Sequence, residues 1–127
     1  MVEDNADVRM CLQTLLEMEG NQVRVASDGI KGTDLILSWR PDVAIVDIGL
    51  PGRDGFSVAK EVRNTLSVAP TRPQPCLIAL TGYGLPSDRQ KVLEAGYQVH
   101  LVKPVNLEEL ADVLRQLGRK LQAAGTQ

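Results

Sequence analysis

The chain has 127 residues, 43% hydrophobic and 24% charged, with a formal net charge of −2. That suffices for one domain around one core and leaves no room for a second. A charge so close to neutral makes no electrostatic case for nucleic acid or an anionic membrane as partner. No apolar run is long enough to span a bilayer, and no basic region followed by an apolar stretch opens the chain, so neither a spanning helix nor a signal peptide is expected. Cys11 and Cys76 fall in segments that read as a helix and a strand, at a spacing that suits no metal or redox motif. They read as buried, reduced thiols of a cytoplasmic protein.

In chain order, Met1-Val2 is a stub followed by Glu3-Asp4-Asn5. Val8, Cys11, Leu12, Leu15 and Leu16 then fall on one helical face, with Asn5 as N-cap and Gly20 as terminator. Gln22–Ala26 alternates and predicts a strand. Gly29–Trp39 predicts a short helix closed ahead of Pro41. Val43–Val46 is a β-branched run ending in Asp47, with the length and composition of a strand buried on both faces. Phe56, Val58, Ala59, Val62 and Leu66 mark a third helix, and the two prolines in Val68–Gln74 require a loop. Cys76–Leu80 is a second apolar strand, ending in Thr81-Gly82. Pro86–Ala95 predicts a fourth helix with Gly96 at its end. Gln98–Val102 predicts a further strand, ending in Lys103-Pro104. Asn106 with Glu109 resembles a capping box and opens a last helix carrying Leu107, Leu110, Leu114, Leu117 and Leu121. The leucine spacing of that helix suits a homodimer seam or, as the preferred reading, one face packed on the sheet. The expected domain covers residues 1–123, with 124–127 a frayed tail.

Strict alternation of strands and helices implies a parallel sheet with helices on both faces. In such sheets ligands bind outside the carboxyl ends of the strands. Glu3 and Asp4, Asp47, Thr81 and Lys103 all stand at such ends, so carboxylates, a hydroxyl and an ammonium converge on one crevice. Clustered carboxylates raise one another's pKa, and a divalent cation relieves the repulsion. Oxygen-only ligands without His or Cys point to Mg²⁺. A metal, a lysine and a hydroxyl around a carboxylate are what phosphoryl transfer to that carboxylate requires, which makes Asp47 the candidate nucleophile.

These motifs resemble the receiver domain of two-component response regulators. The matching pieces are ED at Glu3-Asp4, DIGLPGRDG from Asp47, ALTGYG from Ala79 and HLVKP from His100. The resemblance implies a flavodoxin-like, doubly wound parallel sheet of strand order 2-1-3-4-5. It also implies that Asp47 accepts a phosphoryl group from a phosphohistidine on a histidine kinase or phosphotransfer domain. Asp4, Asp47 and the Gly49 backbone carbonyl would ligate Mg²⁺, with Glu3 acting through water. Lys103 would pair with the phosphate. Thr81 would move to donate to it, shifting the surface around the fourth helix, last strand and last helix. The wording of ALTGYG and HLVKPV is most similar to receivers of hybrid sensor histidine kinases.

Three departures from the family pattern stand out. His100 lies three residues before Lys103, where the family usually carries Tyr or Phe as its switch. The preferred reading is that the imidazole fills the aromatic slot, with a pH-sensitive switch as the alternative. Gly49 and Tyr83 stand where the family tunes dephosphorylation, and no direction is predicted from them. The first strand is reduced to Met1-Val2. Losing about three buried aliphatics there forfeits roughly 5–9 kcal/mol at 1.5–3 each. The expectation is therefore that upstream residues, another chain or a rearrangement fills the gap. Two rival functions remain. A pseudo-receiver that binds partners without taking phosphate is favoured by the short first strand. A small phosphatase of the haloacid-dehalogenase type is disfavoured because Gly49, not a carboxylate, stands two residues after Asp47.

Overall fold

Val43–Asp47 forms β1, Cys76–Thr81 β2 and Val99–Val102 β3, three parallel strands in the order β1-β2-β3. The helices are α1 (Ala6–Met18), α2 (Gly29–Trp39), α3 (Gly55–Leu66), α4 (Pro86–Ala95) and α5 (Leu107–Ala124). The structure is a computed structural model and describes residues 1–3, 6–18, 20–49, 54–66, 75–81, 86–103 and 107–124. In register, Asp47 stands opposite Leu80 and His100 opposite Ala79.

Val2 extends this sheet. It forms parallel bridges to Val46 on one side and to Ala26 on the other. The Val2 N–H donates to the Ile45 carbonyl (2.7 Å) and the Asp47 N–H to the Val2 carbonyl (2.9 Å). On the far side, the Ala26 N–H donates to the Met1 carbonyl and the Glu3 N–H to the Ala26 carbonyl, both at 3.0 Å. Three residues thus hold the central position, and the lateral order Ala26, Val2, β1, β2, β3 is the 2-1-3-4-5 order.

The predicted strand Gln22–Ala26 is realised only as the bridge at Ala26. Parallel pairing needs a neighbour; Met1–Glu3 bridges this segment at Ala26, and the Met1 ammonium donates to the Arg24 carbonyl at 2.8 Å. Next to Met1, between Gln22–Arg24 and Val43–Ile45, a cavity of about 570 Å³ opens. Its rim includes Trp39, whose ring carries the Arg24 guanidinium at 4.8 Å from its centroid.

Alternation along the strands sorts the core into two sides. Val2, Ala44, Val46, Leu77 and Ala79 pack with residues of α2, α3 and α4. Ile45, Ile78, Leu80 and Leu101 pack with Leu12 and Leu16 of α1 and Leu110 of α5, whereas Cys11, expected to be buried, is exposed on α1 and Cys76 is half-buried. Val113 and Leu114 are half-buried against this second cluster, so this stretch of the α5 stripe faces the sheet as preferred. Leu117 and Leu121, like the predicted caps Asn5 and Asn106, fall where no side-chain position is described.

Helix ends follow their local chemistry. Gly20 (φ +91°) and Gly96 (φ +116°) take the left-handed conformation after α1 and α4. Asp28 caps α2 by accepting from the Lys31 N–H at 2.8 Å, and Asp54 caps α3 through the Ser57 N–H at 2.8 Å. Two side chains then tie the helices to the sheet. Arg63 of α3 donates to the carbonyls of Gly96 (2.7 Å) and Pro75 (2.9 Å) and to Gln98 Oε1 (2.7 Å). The buried Tyr97 hydroxyl donates to the Gly55 carbonyl at 2.7 Å, fixing the start of α3, just after the β1 turn.

Candidate functional site

The same alternation places the charged groups. Met1, Val43, Ile45, Val99 and Leu101 face α1 and α5. Glu3, Asp47 and Lys103 share their parity and continue that face past the carboxyl ends of the strands. Lys103 Nζ lies 2.7 Å from Asp47 Oδ2 and 3.0 Å from Glu3 Oε1. The second Asp47 oxygen, Oδ1, accepts from the Gly49 N–H at 3.0 Å. A Cβ on Gly49 would stand 3.8 Å from that oxygen, so glycine leaves the acceptor face of the carboxylate uncovered. The Glu3 carbonyl is anchored by Arg9 Nη1 of α1 at 2.9 Å.

Burial sharpens the electrostatics. Glu3 is 0% exposed and Asp47 6%. Two carboxylates against one ammonium, removed from water, cannot both ionise freely. Burial, and then the Asp47 carboxylate, push Glu3 up to about 7 against the pull of Lys103. Burial also works to raise Asp47, but its contacts with Glu3 and Lys103 and the Gly49 N–H outweigh it and hold that carboxyl below its usual value. Lys103 shifts upward: burial opposes its charge, and the Asp47 and Glu3 carboxylates overcome that. The cluster therefore favours the ionised form of Asp47 and the protonated form of Glu3.

Among the described residues neither Glu3 oxygen has an aligned hydrogen-bond donor, the ammonium at 3.0 Å notwithstanding. A fully buried carboxylate with unfilled acceptor sites next to a second, ionised carboxylate is a donor set suited to a hard cation. Asp4, the third predicted carboxylate, lies outside the described residues, as does Tyr83. Among the described residues no group of three or more His, Cys, Asp or Glu side chains comes together.

Thr81 and His100 stand at the same strand ends, in register parity with Ala79 rather than Leu80. Thr81 is 7% exposed, and its Oγ1 is 2.5 Å from His100 Nε2. The Thr81 carbonyl accepts from the Lys103 N–H at 2.7 Å, so the hydroxyl residue and the lysine are linked through backbone. Of the expected residues, the structure thus groups Glu3, Asp47, Gly49 and Lys103 directly and pairs Thr81 with His100. No motif marks the direct Thr81–His100 bond in the sequence; parallel register and matching parity are its signals.

The profile of the response regulator receiver domain matches residues 1–115. The chain belongs to the response regulator receiver domain family. Response regulator MprA of Mycobacterium tuberculosis (strain ATCC 25177 / H37Ra) is 35% identical over 120 residues, covering 94% of this chain and 50% of that protein. The receiver thus spans about half the length of the curated relatives it matches. Among solved structures, the receiver domain of sensor histidine kinase PA1611 from Pseudomonas aeruginosa PAO1 is 31% identical, with a TM-score of 0.78 over 92% of this chain and 93% of that one. That receiver holds a magnesium ion in its active-site cleft. The co-crystal of the Saccharomyces cerevisiae histidine phosphotransfer protein Ypd1 with the receiver domain of Ssk1 matches at 26% identity and TM-score 0.87, covering 96% and 88%. The fold of this receiver is the CheY-like one, matching a Vibrio cholerae CheY4 structure at TM-score 0.80 and 29% identity over 91% of this chain and 93% of that one. Among the described residues no helix is long and apolar enough to cross a membrane.

Proposed function

We propose that this receiver is a phosphoacceptor signalling module in which Asp47 takes a phosphoryl group from a phosphohistidine on a histidine kinase or phosphotransfer domain. The observation that carries the reading is the buried Asp47 carboxylate, held ionised by Lys103 Nζ at 2.7 Å and by the Gly49 N–H at 3.0 Å. An ionised carboxylate at a strand end, with its face open above Gly49, is a nucleophile presented for in-line attack. One Asp47 oxygen forms the new O–P bond as the N–P bond to the donor imidazole breaks, and that imidazole leaves with the electron pair. Lys103 neutralises charge on the transferring group, and Thr81 supplies a hydroxyl proton to one of its oxygens. Asp47, the Gly49 carbonyl, Asp4 and, through water, Glu3 would hold Mg²⁺. When bound, the ion neutralises phosphoryl oxygen charge. The relatives support both roles: one related receiver holds magnesium, and another is seen with a phosphotransfer protein.

Incubation with Mg²⁺ and acetyl phosphate, followed by intact mass measurement, tests the reading. A phosphoryl adduct is expected in the wild type and is lost in Asp47→Ala. The second reading is a binding module that never takes phosphate. The absence of an adduct in the wild type would establish it.

A further inference from the structure

We propose that in the resting domain the Thr81 hydroxyl donates its single proton to His100 Nε2, so that a phosphoryl group on Asp47 has to win that proton from the imidazole. His100 is then a positioning residue that acts through Thr81, and the proposal rests on Asp47 being the acceptor. The geometry behind it is the 2.5 Å approach of Oγ1 and Nε2 across neighbouring strands. His100 lies opposite Ala79 in the β2–β3 register, and Thr81 lies two residues beyond Ala79, so both side chains project from the same face.

A threonine hydroxyl carries one proton, and a neutral imidazole carries one protonated and one accepting nitrogen. With Nε2 accepting, the proton of the pair is committed to the imidazole. Thr81 cannot donate it to a phosphoryl oxygen at the same time. A phenylalanine in the same slot preserves a planar ring but has no acceptor, so it removes this competitor. The phosphorylated state is thereby disfavoured by the strength of one hydrogen bond, and the resting state of this receiver is held more firmly than aromatic packing alone would hold it.

Beryllofluoride with Mg²⁺, a mimic of the acyl phosphate, reads the effect by NMR titration. His100→Phe is expected to lower the beryllofluoride concentration at half-saturation by about 2- to 12-fold, the range of one net hydrogen bond. In the Thr81→Val background the same substitution is expected to change nothing, because the two residues act as a pair. In the wild type the Nε2 nitrogen resonance of His100 should move when beryllofluoride is added. It should also differ between the wild type and Thr81→Val without ligand. Weaker or unchanged binding in His100→Phe overturns the competition, and an Nε2 resonance identical in wild type and Thr81→Val overturns the bond. A wild type that gains no phosphoryl adduct from acetyl phosphate overturns instead the acceptor reading on which the proposal stands, while the ligand-free resonance still reports the bond.

Discussion

Replacing Glu3 by glutamine should make the metal-free receiver more stable above neutral pH, although Glu3 is fully buried beside a lysine. Burial and the neighbouring Asp47 push the Glu3 carboxyl up to about 7 from an ordinary 4.5, against the pull of Lys103. Below about pH 4.5 it is protonated both folded and unfolded, and it costs nothing. As pH rises toward 7 the unfolded chain ionises first, so the folded state binds more protons and stability falls. At about 1.4 kcal/mol for each tenfold change in acidity constant, the full penalty above pH 7 is at most about 3 kcal/mol, and proton sharing with Asp47 brings it to about 1–3. Asp47 works in the opposite sense in a lower window. Its depressed pKa contributes stability that is present above its ordinary value of 3.8 and is lost as pH falls through the folded value. Urea denaturation at pH 4.5 and pH 8 separates the two. Glu3→Gln should match the wild type at pH 4.5 and exceed it by about 1–3 kcal/mol at pH 8. Adding Mg²⁺ should reverse the order at pH 8, since a cation bound to the folded state stabilises the wild type through the carboxylate that glutamine lacks. A wild-type stability that stays level from pH 4.5 to 8 without metal, with the glutamine variant running parallel, would refute the stored proton on Glu3.

Two further substitutions probe the supports of the site. A Cβ on Gly32 would lie 2.6 Å from both γ-carbons of Val2. Gly32→Ala should therefore destabilise by about 1–3 kcal/mol despite alanine's better helix propensity, and Val2→Ala should relieve part of that in the double variant; a stabilised Gly32→Ala in thermal denaturation would contradict the contact. Tyr97→Phe leaves the Gly55 carbonyl without its 2.7 Å donor and should cost about 1–3 kcal/mol in urea denaturation, with a loss under about 0.5 kcal/mol counting against the pin on α3.

Much of this site can be read from residue order alone, because parallel α/β topology turns position along the chain into position in space. Each strand that ends in a polar residue delivers it to one edge, and period-2 alternation says which face it takes. Asp47 and Lys103 could be placed that way, 56 residues apart in sequence and 2.7 Å apart in the fold. The failures are equally physical. Gln22–Ala26 alternates like a strand, but alternation records only which side is apolar. Whether the backbone pairs depends on the neighbour, and among the described residues the bridge to this segment is at Ala26 alone. Charge state was also hidden. Nothing in the letters Glu3 distinguishes a solvated cap from a carboxylate with 0% exposure, since burial is set by α1 and the sheet together. The Arg63 and Tyr97 ties are illegible for a related reason: both bond to backbone carbonyls more than thirty residues away, and carbonyls have no sequence signature.

A cavity of about 570 Å³ lies beside Met1, at the amino end of the sheet. The carboxyl end, where the site lies, keeps its backbone bonds on both sides of Val2. Val2 itself is 1% exposed and seats against the Cβ-free surface of Gly32. The cavity and the charged cluster therefore lie at opposite ends of the same strand position. One residue separates them, since Val2 pairs with Val46 while the next residue, Glu3, meets Lys103. A perturbation at Val2 or Gly32 should reach Glu3 and change the proton it holds, whereas filling the cavity at Met1 should raise stability and leave the Glu3–Asp47–Lys103 geometry in place.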